Sequence, residues 1–251
     1  MMWNNLSFLF FTPLVAGLFV FLVPRGKTAN FKLILVFAGS YLFAITVIHL
    51  LPELFRNDLA PSWIGALVLI GFFFQLVLEY FTSGVEHGHI HGHDHRGHKE
   101  NTSGMLPLLL VTALCLHSFM EGAMLVQPDS AGNLFNVNPI LIGILLHRAP
   151  AAFALMTVLT NHFGSRRKSI FYLLLFSFSA PLGLLLNTFF TEANIISNLG
   201  LTILYAILCG NFLHISTTIV FESSPDHHFN ARKLLVALIG SFLAVLVEFI
   251  L

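Results

Sequence analysis

Charge is what this sequence has least of. Lys, Arg, Asp and Glu together make up 10% of its 251 residues, against about a quarter in a soluble domain of ordinary composition. A chain so poor in charge and 56% hydrophobic has too little polar surface to cover a water-soluble fold. Its solvent is lipid. The 12 basic residues cancel the 12 acidic ones, and a neutral chain implies no polyanionic partner such as nucleic acid. Cysteine is nearly absent: Cys115 and Cys209 sit in apolar runs without metal-ligand spacing, and read as small buried residues rather than a disulfide. A cleavable leader is not expected either. The run 6–23 lacks a basic segment and a small-residue cleavage site, so it reads as a first membrane span. Phenylalanine, by contrast, is abundant at 27 copies, and suits helix surfaces that face lipid.

A helix needs roughly 20 apolar residues to cross about 30 Å of hydrocarbon. Eight stretches qualify, at 6–23, 31–54, 63–81, 105–126, 139–160, 170–190, 195–221 and 234–250. The expectation is an all-α integral membrane protein, one domain over 1–251, whose longest connection is a histidine-rich loop at 83–104. Basic residues collect on the cytoplasmic side of membrane proteins. Arg25, Lys27 and Lys32 follow the first span, Arg96 and Lys99 the third, Arg166, Arg167 and Lys168 the fifth, Arg232 and Lys233 the seventh. That places ten of the 12 Lys and Arg on one side. Both termini are therefore expected outside, and the His-rich loop inside.

Ionisable groups deep in a bilayer cost at least ~2.5–3.5 kcal/mol each and are seldom kept without a use. The fourth span carries His117 and Glu121, four residues apart and so on one helix face. An imidazole and a carboxylate on one face form a two-ligand arm for a divalent ion. The fifth span carries His147 and Arg148, with Pro150 following. A proline there removes a backbone bond and frees the carbonyl of Leu146 one turn earlier. A lone intramembrane histidine is often only a hydrogen-bonded structural residue. Two histidines and a glutamate at matched depth on consecutive spans point to metal.

The strings His117-Ser-Phe-Met-Glu-Gly122 and His147-Arg-Ala-Pro150 resemble the paired metal motifs of the ZIP (Zrt/Irt-like) family of zinc and iron transporters. His49-Leu-Leu-Pro-Glu53, Ala180-Pro-Leu-Gly183 and Gly210-Asn-Phe-Leu-His214 are similar to that family as well. The resemblance implies eight spans, outward termini, and a metal site between the fourth and fifth spans with His117, Glu121 and His147 as primary ligands. It also marks a departure. Binuclear members carry a second-site acid or amide at four positions occupied here by Ser118, Arg148, Ala151 and Ala180. A permanent cation, Arg148, stands in place of one of those ligands. The inference is a mononuclear site, with Arg148 pairing to Glu121 when no ion is bound and water, Ser118 or a freed carbonyl completing the shell. Such an open shell suits release better than a closed tetrahedral site would.

The resemblance places His49, Glu53 and His214 along the ion's path rather than at the primary site. Glu53 has an alternative as a simple helix cap, and Glu79 as a residue reaching for the surface or the exit. Glu248 and Asn187 are assigned to hydrogen bonds between helices. The loop residues His87, His89, His91, His93, His95 and His98 read as a loose cytoplasmic acceptor or sensor of metal, with His227 and His228 as weak auxiliaries.

The functional expectation is a divalent metal importer, not an enzyme, with zinc the first substrate and iron, manganese and cadmium chemically open. An intramembrane zinc-dependent hydrolase is the alternative, because the same cluster could activate water. The expected location is a plasma or bacterial inner membrane, with lipid and the metal ion as partners and a homodimer as one option for assembly.

Overall fold

The computed structural model describes residues 2–22, 29–82, 106–126, 137–222 and 231–250. The His-rich stretch 83–104 and His227 and His228 lie outside these residues. Every regular element among them is helical. In order they are α1 (Met2–Leu18), α2 (Ala29–Ile45), α3 (Leu51–Phe55), α4 (Pro61–Thr82), α5 (Leu106–Ala123), α6 (Val137–Phe163), α7 (Arg166–Glu192), α8 (Asn198–Glu222) and α9 (Ala231–Ile250). A short 3₁₀ turn, Phe19–Phe21, extends α1, and a π-helical stretch, Thr46–Leu50, joins α2 to α3.

Helices are the only open-ended elements that satisfy every backbone group within themselves, as lipid demands. Seven of the described spans are long and apolar enough to cross a membrane, and α5 is a shorter apolar helix. Many large side chains face outward, among them Phe8, Phe11, Phe73, Phe178, Phe242 and Phe249. This inverts the soluble pattern, because here the outside is the apolar phase.

The helices pack as two groups. α1, α5, α6 and α7 associate with one another; α2, α4, α8 and α9 form the second group, which meets the first mainly through α2 on α6 and α4 on α5. Small residues let backbones come close where no hydrophobic force separates helix from lipid. A side chain on Gly122 would collide with the carbonyl of Ala180, and one on Gly183 with that of Phe119, so α5 and α7 are in backbone contact. Gly71 and Gly210 do the same for α4 and α8.

One local departure from α geometry matters. Pro52 cannot donate to the carbonyl one turn earlier, and the helix widens into the π stretch just before it. An α-helical spacing puts His49 and Glu53 on a common face. In the structure they take different partners: His49 Nδ1 lies 2.9 Å from Glu248 Oε1 of α9, while Glu53 Oε2 accepts from Arg56 Nη1 at 2.8 Å.

Candidate metal centre

α5 presents His117 and Glu121 one turn apart, and α6 brings His147 against them. Glu121 Oε1 lies 3.1 Å from His117 Nε2 and 2.7 Å from His147 Nε2, so one carboxylate oxygen serves both imidazoles. One ligand atom from each residue falls within 4.8 Å of the other two. Among the described residues this is the sole group of three or more His, Cys, Asp or Glu so arranged. Glu121 is wholly buried, and the two histidines are 4% and 5% exposed. Two imidazole nitrogens and a carboxylate oxygen form a borderline-soft, anionic set matched to zinc and its neighbours among the divalent metals.

The ring of His147 is tethered within its own helix. Its Nδ1 lies 3.2 Å from the carbonyl oxygen of Gly143, one turn back on α6. A carbonyl only accepts, so this contact is a hydrogen bond in the tautomer with its proton on Nδ1, which is also the tautomer whose Nε2 could ligate a metal ion. A carbonyl acceptor behind the ring recurs at histidine-ligated sites.

Arg148 is 1% exposed and turned about 100° around α6 from His147. Its Nη1 stands 3.5 Å from Glu121 Oε2, its Nη2 donates to the Phe176 carbonyl at 3.2 Å, and its guanidinium carbon sits 5.0 Å from the centre of the Phe176 ring. The two oxygens of Glu121 therefore divide their work. Oε1 faces the imidazoles, and Oε2 faces the guanidinium. A cavity of about 10 Å³ opens beside the cluster, close to the space one water needs. Leu114, Ala151, Phe176, Ile215 and Ile219 complete its wall.

The other residues singled out in the sequence distribute as follows. Ser118 is fully buried beside His117, and its Oγ has no hydrogen-bond partner among the described residues. Ala151 lines the cavity; Ala180 is buried in the α5–α7 contact, its carbonyl against Gly122. His214 turns to α4, where its Nε2 meets Glu79 Oε2 at 2.8 Å and its ring lies 4.7 Å from that of Phe72. α8 offers the cavity Ile215 and Ile219 instead. Asn187 Nδ2 donates to the carbonyl of Ala123 at 2.6 Å, tying α7 to the end of α5.

Sequence reasoning singled out Glu79, His214, His49 and Glu248 but assigned none of them a partner. The partners lie far away in the chain, 199 residues apart for His49 and Glu248, beyond the reach of any spacing argument. Phe176 and the Gly143 carbonyl were not singled out, and an apolar side chain and a backbone oxygen leave no mark in sequence.

A bundle of helices long and apolar enough to cross a membrane thus encloses three side chains that could hold a metal ion. Comparison with known proteins gives it a family. A family model described as ZIP Zinc transporter matches residues 85–250, most of the chain, and the chain belongs to that family. It is 29% identical over 164 residues to Protein zntD of Dictyostelium discoideum, covering 64% of this chain and 23% of that protein. It is 30% identical over 120 residues to Zinc transporter ZIP9-A of Xenopus laevis, covering 48% and 38%. With Zinc transporter ZIP9 of Micropogonias undulatus the identity is 28% over 159 residues, covering 61% and 49%. The chain thus spans between about a quarter and a half of the length of these relatives.

Proposed function

We propose that this protein carries a divalent metal ion, zinc foremost, across a membrane into the cytoplasm through a mononuclear site made by His117, Glu121 and His147. The observation that carries the reading is the convergence of these three side chains, from α5 and α6, on one point in the buried interior. Membership of the ZIP family and relatives described as zinc transporters support zinc as the substrate. Iron, manganese and cadmium accept the same ligands.

In this reading eight helices span the bilayer, counting the shorter α5, with both termini outside. The charge bias of the connections supports that orientation, and a plasma or bacterial inner membrane is the location. Arg148 occupies the place of a second metal. It balances Glu121 when no ion is bound, and the incoming dication competes with it for that carboxylate. Ser118, Ala151 and Ala180 leave the second position without a strong ligand, so one ion binds at a time. His49 with Glu248, and His214 with Glu79, flank the route, and the histidines at 87–98 receive metal on the cytoplasmic side.

A hydrolase would need a reacting group beside the metal. Apart from Arg148, the cavity wall beyond the cluster is apolar, which favours passage of an ion over chemistry on a substrate. Uptake of radioactive zinc by proteoliposomes of the purified protein tests the proposal. Saturable uptake that Glu121→Ala abolishes is the expected result. Equal uptake by liposomes bearing the wild type and that variant would sink it.

A further inference from the structure

The helix that bears His147 is gripped, one turn ahead of the ligand, by a residue of another helix. Tyr41 of α2 is fully buried. Its hydroxyl donates to the carbonyl of Pro139 at 3.2 Å, the same carbonyl that in an α-helix receives the amide of Gly143. The edge of its ring lies against Gly143 itself: a Cβ built there would stand 3.3 Å from Tyr41 Cε1 and 3.4 Å from Cδ1. Gly143 in turn supplies the carbonyl that accepts the Nδ1 proton of His147, whose Nε2 points to Glu121. Phenol, glycine and imidazole thus stand in succession, each in contact with the next.

We propose that Tyr41 is a positioning residue of the metal site. It sets the height and rotation of the first turns of α6, and through them the Gly143 carbonyl and the direction of the His147 lone pair. Ligand geometry must be held to about 0.5 Å to be productive, and outer-shell partners of a ligating histidine govern affinity. Two features suit Tyr41 to this role. It contacts α6 by both ring and hydroxyl, so it restrains sliding as well as rotation. It also reaches across from the α2, α4, α8 and α9 group to the group that holds the ligands, so the site's geometry depends on how the two groups are seated.

The inference rests on the reading of His147 as a metal ligand. Its test is cobalt(II) binding to the purified full chain, read both as affinity and as the visible absorption that reports ligand geometry. Tyr41→Leu removes the flat ring and the hydroxyl; it is expected to weaken cobalt binding by about tenfold, at the lower end of outer-shell effects, and to alter the spectrum. Tyr41→Phe keeps the ring on Gly143 and is expected to restore most of the affinity. Should Tyr41→Leu fail to fold, Gly143→Ala presses on the same contact from the α6 side and is expected to change the spectrum likewise. Tyr205→Leu is the control, since Tyr205 is a buried tyrosine of α8 whose hydroxyl donates to the carbonyl of Val126 at 2.8 Å, away from α6. It is expected to lower stability and leave the spectrum intact. Wild-type affinity and spectrum in Tyr41→Leu or Gly143→Ala would overturn the inference, and so would the same spectral change in Tyr205→Leu. A silent His147→Ala would instead remove the ligand reading on which it stands.

Discussion

Two buried histidine–carboxylate contacts in this protein look alike in pairwise distance and differ in what they can do. At the α4–α8 interface His214 and Glu79 meet at 2.8 Å beside the ring of Phe72. At the α5–α6 interface Glu121 meets two imidazoles with one oxygen and a guanidinium with the other. One imidazole facing one carboxylate ties two helices together. Three ligand-type side chains with their donor atoms within 4.8 Å of one another, and a cavity beside them, could hold a cation. Convergence separates a metal centre from an interhelical tie; the presence of histidine does not.

Several substitutions test that contrast, beginning with the most severe. Glu121→Ala removes the carboxylate that faces His117, His147 and Arg148. Zinc affinity of the purified protein, measured by calorimetry, is expected to fall by more than the roughly 100-fold upper range of outer-shell changes, and vesicle uptake with it. His117→Ala and His147→Ala are expected to reach nearly as far. Strong residual binding in either one would mean that the three side chains do not act as a unit.

Acidification comes next. Metal binds only deprotonated ligands, so protons and zinc compete for the same lone pairs on the two imidazoles. The sign follows: affinity falls as the pH is lowered. Lowering the pH from about 7.5 to about 5.5 is expected to weaken binding by roughly tenfold or more. A flat dependence across that range would count against imidazole ligation.

Arg148→Ala removes a cation 3.5 Å from Glu121 Oε2. Relieved of that competitor, the site is expected to bind zinc several-fold more tightly, charge interactions in the interior being of kcal/mol size. Turnover is expected to slow, because release becomes the harder step. Uptake kinetics unchanged at every pH would show that the guanidinium only fills space against Phe176.

The smallest effect is expected at the other interface. His214→Ala breaks the tie to Glu79, and interhelical hydrogen bonds in membranes are worth on the order of 1 kcal/mol. A modest loss of thermal stability is expected, with zinc affinity within about twofold of wild type, given the scatter of such measurements. A collapse of metal binding in this variant would erase the distinction between the two contacts.

Much of the architecture was legible in the chain. Hydrophobic runs placed the spans within about four residues of the helices, as for 139–160 against α6 and 170–190 against α7, because lipid filters so strongly for long apolar segments. The cluster was legible for a related reason. An imidazole and a carboxylate in hydrocarbon are conspicuous, and the i, i+4 spacing of His117 and Glu121 assigns them one face without any knowledge of neighbours. The stretch around His49 was less so. Spacing alone puts it on one helix face with Glu53, yet in the structure it meets Glu248 of α9, 199 residues away.

The sequence by itself determined that this protein lives in lipid, that it is helical, and that three ligand-type side chains lie at comparable depth. These properties follow from local composition and periodicity, which each segment carries alone. The tertiary structure decided which acid meets which histidine, which oxygen of Glu121 faces the imidazoles and which faces Arg148, and that Phe176 and Gly143 hold the two α6 side chains in place. Those contacts join residues distant in the chain across helix interfaces, and a helix apolar on every side does not announce which face its neighbours will cover.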